Sequence, residues 1–117
     1  MAKFFRGDVV NMLYPAGKDP NGKPILKVRP VVVLQNQNKN SDIITVYCTS
    51  QNDGDDEHTI FVKFDSEEGY AMGLTKDTWI RPGKIKTFSV EFIERKIGTC
   101  PLMTQITHII EKINNGK

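Results

Sequence analysis

The stretch Lys27-Val28-Arg29-Pro30-Val31-Val32-Val33-Leu34-Gln35-Asn36 constrains this chain more than any other. An unbroken run of mostly β-branched apolar residues with polar ends predicts a short strand buried on both faces. Pro30 cannot donate to a ladder, so it must open the strand or lie on an edge. It also holds Arg29 extended at the strand's mouth. Two roles are open to a guanidinium fixed where core meets solvent. Its planar fork binds a phosphate or a carboxylate bidentately, or it closes a salt bridge at a strand start.

A chain of 117 residues is one domain, residues 1–117, with room for a core that needs no staples. No apolar run approaches a membrane span. The opening Met1-Ala2-Lys3-Phe4-Phe5-Arg6 lacks the apolar region of a signal peptide. Cys48 and Cys100 are two lone thiols, expected to stay reduced in a cytosol, so the location expected is cytoplasmic. His58 and His108 stand far apart and there is no CxxC, so no metal site is expected. No cofactor is expected either.

The net charge of +2 decides nothing, but its distribution is informative. Lys3, Arg6, Lys18, Lys23, Lys27 and Arg29 make the first quarter basic. Asp53, Asp55, Asp56, Glu57, Asp65, Glu67 and Glu68 make the middle acidic. Lys76, Arg81, Lys84, Lys86, Arg95 and Lys96 restore positive charge. If the two basic segments meet in space they form a face suited to a polyanion; if not, the surface is mixed and solvated.

Gly7-Asp8-Val9-Val10-Asn11-Met12-Leu13 predicts a first strand entered through a glycine turn. Residues 14–28 hold Pro15, Gly17, Asp19-Pro20-Asn21-Gly22 and Pro24, a density that predicts a long basic loop leading into Arg29. Ile43-Ile44-Thr45-Val46-Tyr47-Cys48 predicts the next strand, close enough to pair with the central one. Antiparallel pairing then brings its closing Thr49 and Ser50 near Arg29. Those hydroxyls either help hold a phosphate or cap a turn. Residues 51–57 read as an acidic turn without chemistry. Residues 58–64 read as a strand and residues 66–73 as a loop, with Tyr70 and Met72 contributing to the core. Asp77-Thr78-Trp79-Ile80-Arg81 is a short strand broken at Pro82-Gly83. Lys84-Ile85-Lys86-Thr87-Phe88 alternates, lysines outward and Ile85 inward. Residues 90–95 are a helical turn or a bend. Leu102, Ile106, Ile109, Ile110 and Ile113 recur at helical spacing, with Pro101 suited to the first helical position and Asn114-Asn115-Gly116 to the stop. The fold class expected is mainly β, a small curved antiparallel sheet or barrel with one C-terminal helix.

Several stretches together resemble the PemK/MazF family of toxin ribonucleases. They are Arg6-Gly7-Asp8-Val9, Arg29-Pro30-Val31-Val32-Val33-Leu34, Thr49-Ser50, Gly73-Leu74-Thr75-Lys76-Asp77-Thr78, Lys84-Ile85-Lys86-Thr87 and Lys96-Ile97-Gly98-Thr99. The resemblance implies an SH3-like barrel, dimeric, that cleaves single-stranded RNA without a metal. The RNA's own 2′-hydroxyl attacks the adjacent phosphate, leaving a cyclic phosphate and a 5′-hydroxyl. A cognate antitoxin holds such proteins inactive by covering the RNA groove with an acidic or apolar tail, which here would meet Arg29, Lys84 and Lys86. On the matching positions, Arg29 would stabilise the pentavalent phosphate, and Thr49, with Ser50 beside it, would orient an oxygen. Lys18, Lys23, Lys27, Lys84 and Lys86 would hold the RNA backbone, and Tyr14 or Trp79 would stack a base, with core packing the other use open to Trp79.

Two departures from the family pattern stand out. No Glu lies near Lys23-Pro24, where many members have one before the central Arg. In the Arg-x-Asp pair of one branch, Arg81 matches the Arg, but Gly83 replaces the Asp. Asp77 and His58 are the groups left to substitute for that carboxylate. The same barrel also serves gyrase-poisoning, CcdB-like toxins, so a protein- or nucleic-acid-binding module is the alternative reading.

Overall fold

The computed structural model describes residues 3–51 and 57–116. Asp53, Asp55 and Asp56, most of the acidic turn expected between the third and fourth strands, lie outside the described residues. Six strands are formed among the described residues: β1 (Asp8–Lys18), β2 (Pro24–Gln35), β3 (Asp42–Thr49), β4 (Ile60–Val62), β5 (Thr78–Ser89) and β6 (Ile93–Thr99). Two helices accompany them, α1 (Glu67–Met72) and α2 (Met103–Asn115), with a 3₁₀ turn at Val90–Phe92. The strands make one curled antiparallel sheet in the order β4-β5-β3-β2-β1-β6.

The valine run is the sheet's core strand. Val32 and Leu34 pack with Val9, Val46, Ile80 and the α2 residue Ile106. Val31 and Val33 pack on the other side with Val10, Met12, Ile43 and Phe88. All four are buried, each worth about 2 kcal/mol of apolar transfer. Leu102, Met103, Ile109 and Ile110 lay the helical stripe of α2 onto the first cluster. Arg6 fastens that layer: its guanidinium donates to the Leu34 carbonyl at 2.9 Å and to the Thr107 hydroxyl.

Pro30 does not open its strand. β2 runs six residues further back, and Pro30 pairs with Asn11 of β1. The β3 ladder begins only at Val31, so the missing donor falls where β2 has one partner rather than two. The residues read as a long loop are instead a β-hairpin, with Tyr14 opposite Lys27 and Pro15 opposite Leu26. Its turn chemistry is compressed into the tip, where Asp19 Oδ1 accepts from the N–H of Asn21 and of Lys23, both at 2.9 Å. Prolines at both flanks disguise these strands, and the ladder absorbs them with a register shift between Pro15 and Lys18.

Residues 66–73 are a capped helix rather than a loop. Ser66 Oγ accepts from Gly69 N at 3.0 Å, and Gly73 closes the helix at φ 73°. Met72 is buried as expected, but Tyr70 is 71% exposed, because residues two apart on a helix cannot face the same way. The fourth strand is shorter than expected, Ile60–Val62. β5 is continuous through Pro82-Gly83, which form a bulge: Val46 pairs with Ile85 while the adjacent Tyr47 pairs with Arg81. Ile85 shares the face of its fully buried partner Val46, as expected, yet it is itself 43% exposed and adds little to the core. The α2 helix starts at Met103, leaving Pro101 in the preceding turn.

Cys48 and Cys100 are free and buried in the α2-side core. Burial pushes both thiols above the ordinary range, with Cys100 adding to the effect on Cys48. The unfolded chain therefore gives up these protons first as pH rises. Stability is expected to hold below about pH 8.5, the ordinary thiol value, and to fall above it. Denaturant melts from pH 7 to 10 check this, and Cys48→Ala should flatten the alkaline decline.

Candidate functional site

A cavity of about 680 Å³ opens beside the singly paired half of β2. Its walls come from β1, β2, the end of β3, the α1–β5 connection and β6. Five cationic residues line it: Lys27 and Arg29 from β2, Lys76 from the connection, and Arg95 and Lys96 from β6. The first basic segment and the last thus meet. Ser50, Thr75 and Thr78 add hydroxyls, and among the described residues no Asp, Glu or His is in the wall. Lys96 reaches the buried Asp8 carboxylate at 3.1 Å, which anchors its ammonium. Among the described residues Arg29 forms no ion pair. Such a hollow favours a polyanion, because among the described residues its wall holds no carboxylate and four of its five cations, all but Lys96, make no ion pair, so they gain most from a phosphate.

Strand alternation puts Tyr14, Arg29, Tyr47 and Thr49 on one face of the sheet. Met12 opposes Arg29 and Lys27 opposes Tyr14, so Tyr14 and Arg29 are diagonal neighbours. The Tyr14 ring lies 5.3 Å from that of Tyr47 and 5.3 Å from that of Phe88. Lys84 Nζ stands over Tyr47 at 5.3 Å and Lys86 Nζ over Phe88 at 5.4 Å, cation–π geometry that holds both ammonium groups over the aromatic cluster. Burial, and then Tyr47, raise the Tyr14 phenol above its ordinary range, while Arg29 pulls the other way.

The residues singled out in the sequence are only partly brought together. Arg29, Lys27 and Ser50 are in the cavity wall; Thr49, Lys18, Lys23, Lys84, Lys86, Tyr14 and Arg81 are not. Thr49 closes β3, buried, and its Oγ1 accepts from Gln51 N at 3.1 Å. Lys18 and Lys23 flank the hairpin tip, exposed. Arg81 is opposite Tyr47, half-buried. Trp79 is half-buried and packs on Phe61 with ring centroids 4.9 Å apart. Neither suggested substitute carboxylate or imidazole is in the wall: Asp77 Oδ1 accepts from Phe64 N at 3.1 Å, and His58 approaches Glu57 at 3.3 Å. Lys76, Arg95 and Lys96 entered the sequence reading only as members of a basic segment, not as residues of the site. The available signals for the two lysines were the Gly73-to-Thr78 and Lys96-to-Thr99 motifs.

Residues 5–114 match the family described as PemK-like, MazF-like toxin of type II toxin-antitoxin system. No curated protein matches the sequence. Among solved structures, the fold is similar to an endoribonuclease in complex with its cognate antitoxin from Mycobacterial species, at TM-score 0.61 and 14% identity, covering 99% of this chain and 96% of that one. An endoribonuclease from Mycobacterial species gives TM-score 0.64 at 14% identity, covering 98% and 94%. The Mycobacterium tuberculosis toxin MazF-mt6 gives 0.53 at 16% identity, covering 91% and 93%. Neighbours at this identity speak for the fold alone.

Proposed function

This chain belongs to the PemK-like, MazF-like toxin family of type II toxin-antitoxin systems, and on that premise we propose that it is an endoribonuclease that cuts single-stranded RNA. The observation that carries the proposal is the cavity with five cationic residues and, among the described residues, no carboxylate in its wall. The substrate supplies the nucleophile. Its 2′-oxygen bonds to phosphorus, the bond from phosphorus to the 5′-oxygen breaks with the electron pair going to that oxygen, the 2′-proton leaves to solvent, and the 5′-oxygen takes a proton from water to become the 5′-hydroxyl. The protein's part is electrostatic. Arg29 meets the added negative charge of the pentavalent phosphate, where a fixed cation counts most. Thr49 accepts from Gln51 yet keeps its own hydroxyl proton to donate, and Ser50 provides a second hydroxyl from the wall. Lys27, Lys76, Arg95 and Lys96 hold flanking phosphates.

An acidic segment of a cognate antitoxin would compete for Arg29 and would also meet Lys84 and Lys86 beside the cavity. We place the protein in the cytoplasm as a homodimer; among the described residues no helix is long and apolar enough to cross a membrane.

Incubating the protein with mixed-sequence RNA in EDTA is expected to yield fragments ending in 2′,3′-cyclic phosphate and beginning with 5′-hydroxyl. RNA left intact would overturn the reading. Removing flanking cations should weaken binding evenly across sequences. Lys76→Ala and Arg95→Ala are each expected to reduce the slope of log affinity against log salt by about 0.7, measured by fluorescence anisotropy with a 2′-O-methyl oligonucleotide.

A further inference from the structure

We propose that the Tyr14 hydroxyl donates a hydrogen bond to the scissile phosphate beside Arg29, a catalytic contact in a chain whose Arg81-Pro82-Gly83 offers no carboxylate. The inference rests on the nuclease reading and assigns Tyr14 a role different from base stacking. Stacking needs an open ring face. Tyr14 is tilted against Tyr47 on one neighbour and Phe88 on the other, both with centroids 5.3 Å away, so its ring is committed to packing. The phenol end is what remains for chemistry.

Register brings that end to Arg29. Tyr14 opposes Lys27, Arg29 opposes Met12, and the two share a face as diagonal cross-strand neighbours, a spacing of about 7 Å that aromatic and long side chains span. The interaction between Arg29 and Tyr14 is also felt electrostatically. A phosphate held by the guanidinium fork is therefore within range of a neutral O–H donor. Burial keeps that phenol protonated through the physiological range, so it donates without transferring its proton and no further acid or base is required of it. Packing between two aromatic rings fixes the donor before the substrate arrives, the condition under which such a group favours the transition state over the ground state.

Tyr14→Phe keeps the ring and deletes the donor. The expected result is a loss of about a hundredfold in kcat, the effect of removing one preorganised donor, with a rise in KM of no more than about tenfold and an unchanged melting temperature. Tyr47→Phe, which removes a hydroxyl from the adjacent ring, is expected to leave kcat within about threefold, the ordinary context scatter of a spectator group. A binding measurement stands apart from turnover: affinity for a 2′,3′-cyclic nucleotide should drop about tenfold in Tyr14→Phe, as for one hydrogen bond to a charged group. Wild-type kcat or wild-type cyclic-nucleotide affinity in Tyr14→Phe would overturn the assignment, as would a rise confined to KM. If the wild-type protein leaves RNA intact, the nuclease reading falls; tenfold weaker cyclic-phosphate binding by Tyr14→Phe would still support the Tyr14 contact.

Discussion

Replacing Arg29 by alanine is expected to lower RNA cleavage by about a thousandfold while leaving the fold intact. The size follows from what is removed. A donor preorganised toward developing charge is worth two to three powers of ten, and here the donor is itself charged and forms no ion pair among the described residues. Arg29→Lys retains the charge but loses the planar fork, so it should recover only part of the rate, because a point charge cannot bind two phosphate oxygens in one plane. Stability should change little. Arg29 is half-buried on the singly paired part of β2, and substitutions away from core contacts stay within about 0.5 kcal/mol. Single-turnover cleavage alongside thermal melts separates the two effects. Cleavage by Arg29→Ala at the wild-type rate would remove Arg29 from the chemistry and leave the cavity's other cations as a binding surface only.

Much of this was readable before any coordinates, for reasons that differ by element. Val31 to Leu34 announced a strand buried on both faces because nothing else accommodates four consecutive aliphatic side chains so cheaply, and both clusters of the core do meet there. The α2 stripe was equally plain, since the spacing of Leu102, Ile106, Ile109 and Ile110 matches the surface they cover. The hairpin of residues 14–28 was hidden because Pro15 and Pro24 are strand breakers in general and tolerable only on an irregular ladder, which is a tertiary fact. The α1 helix was hidden by its shortness: six residues cannot display a period, although the Ser66 and Gly73 caps were there to see. Ile85 takes the face of its buried partner Val46 but stays 43% exposed, because alternation tells which face a side chain takes and not how much of that face is covered.

The site was legible in its types and not in its assembly. Arg29 and the hydroxyls at the end of β3 follow from antiparallel pairing of neighbours. Lys76, Arg95 and Lys96 reach the same hollow only because β6 joins the sheet next to β1, across from β2, while the α1–β5 connection closes over it. No local pattern encodes that juxtaposition. Tyr14 illustrates the same point in reverse: an aromatic in a basic hairpin reads as a stacking platform until Tyr47 and Phe88 are found against its ring.

Gly73→Ala is expected to be the most damaging small substitution in the chain. Gly73 ends α1 in the left-handed region at φ 73°, which costs a residue with a β-carbon roughly 1–2 kcal/mol on its own. The larger penalty is contact with β6. A β-carbon there would come 2.1 Å from the Ile97 carbonyl oxygen and 2.8 Å from its carbon, and these are backbone atoms with no rotamer in which to retreat. The approach is mutual, since a β-carbon on Gly98 would lie 2.4 Å from the Ala71 oxygen. Relief requires α1 and β6 to separate, which unseats the buried Met72 and Leu74. The total should reach about 4 kcal/mol or more, the range of overpacked cores combined with backbone strain, and lower the melting temperature by about 15 °C. Gly17→Ala is the matched control: φ is 99°, but no heavy atom lies within 4 Å of the added carbon, so it should show the conformational cost without the clash. The functional consequence is direct, because Gly73 and Lys76 form one wall of the cavity and Arg95 to Ile97 another; forcing the two apart widens the gap between cations that must grip the same strand. Cleavage in Gly73→Ala should therefore fall even at temperatures where most of the protein remains folded, and a variant that melts within a few degrees of wild type would show that the contact between α1 and β6 yields more easily than backbone packing allows.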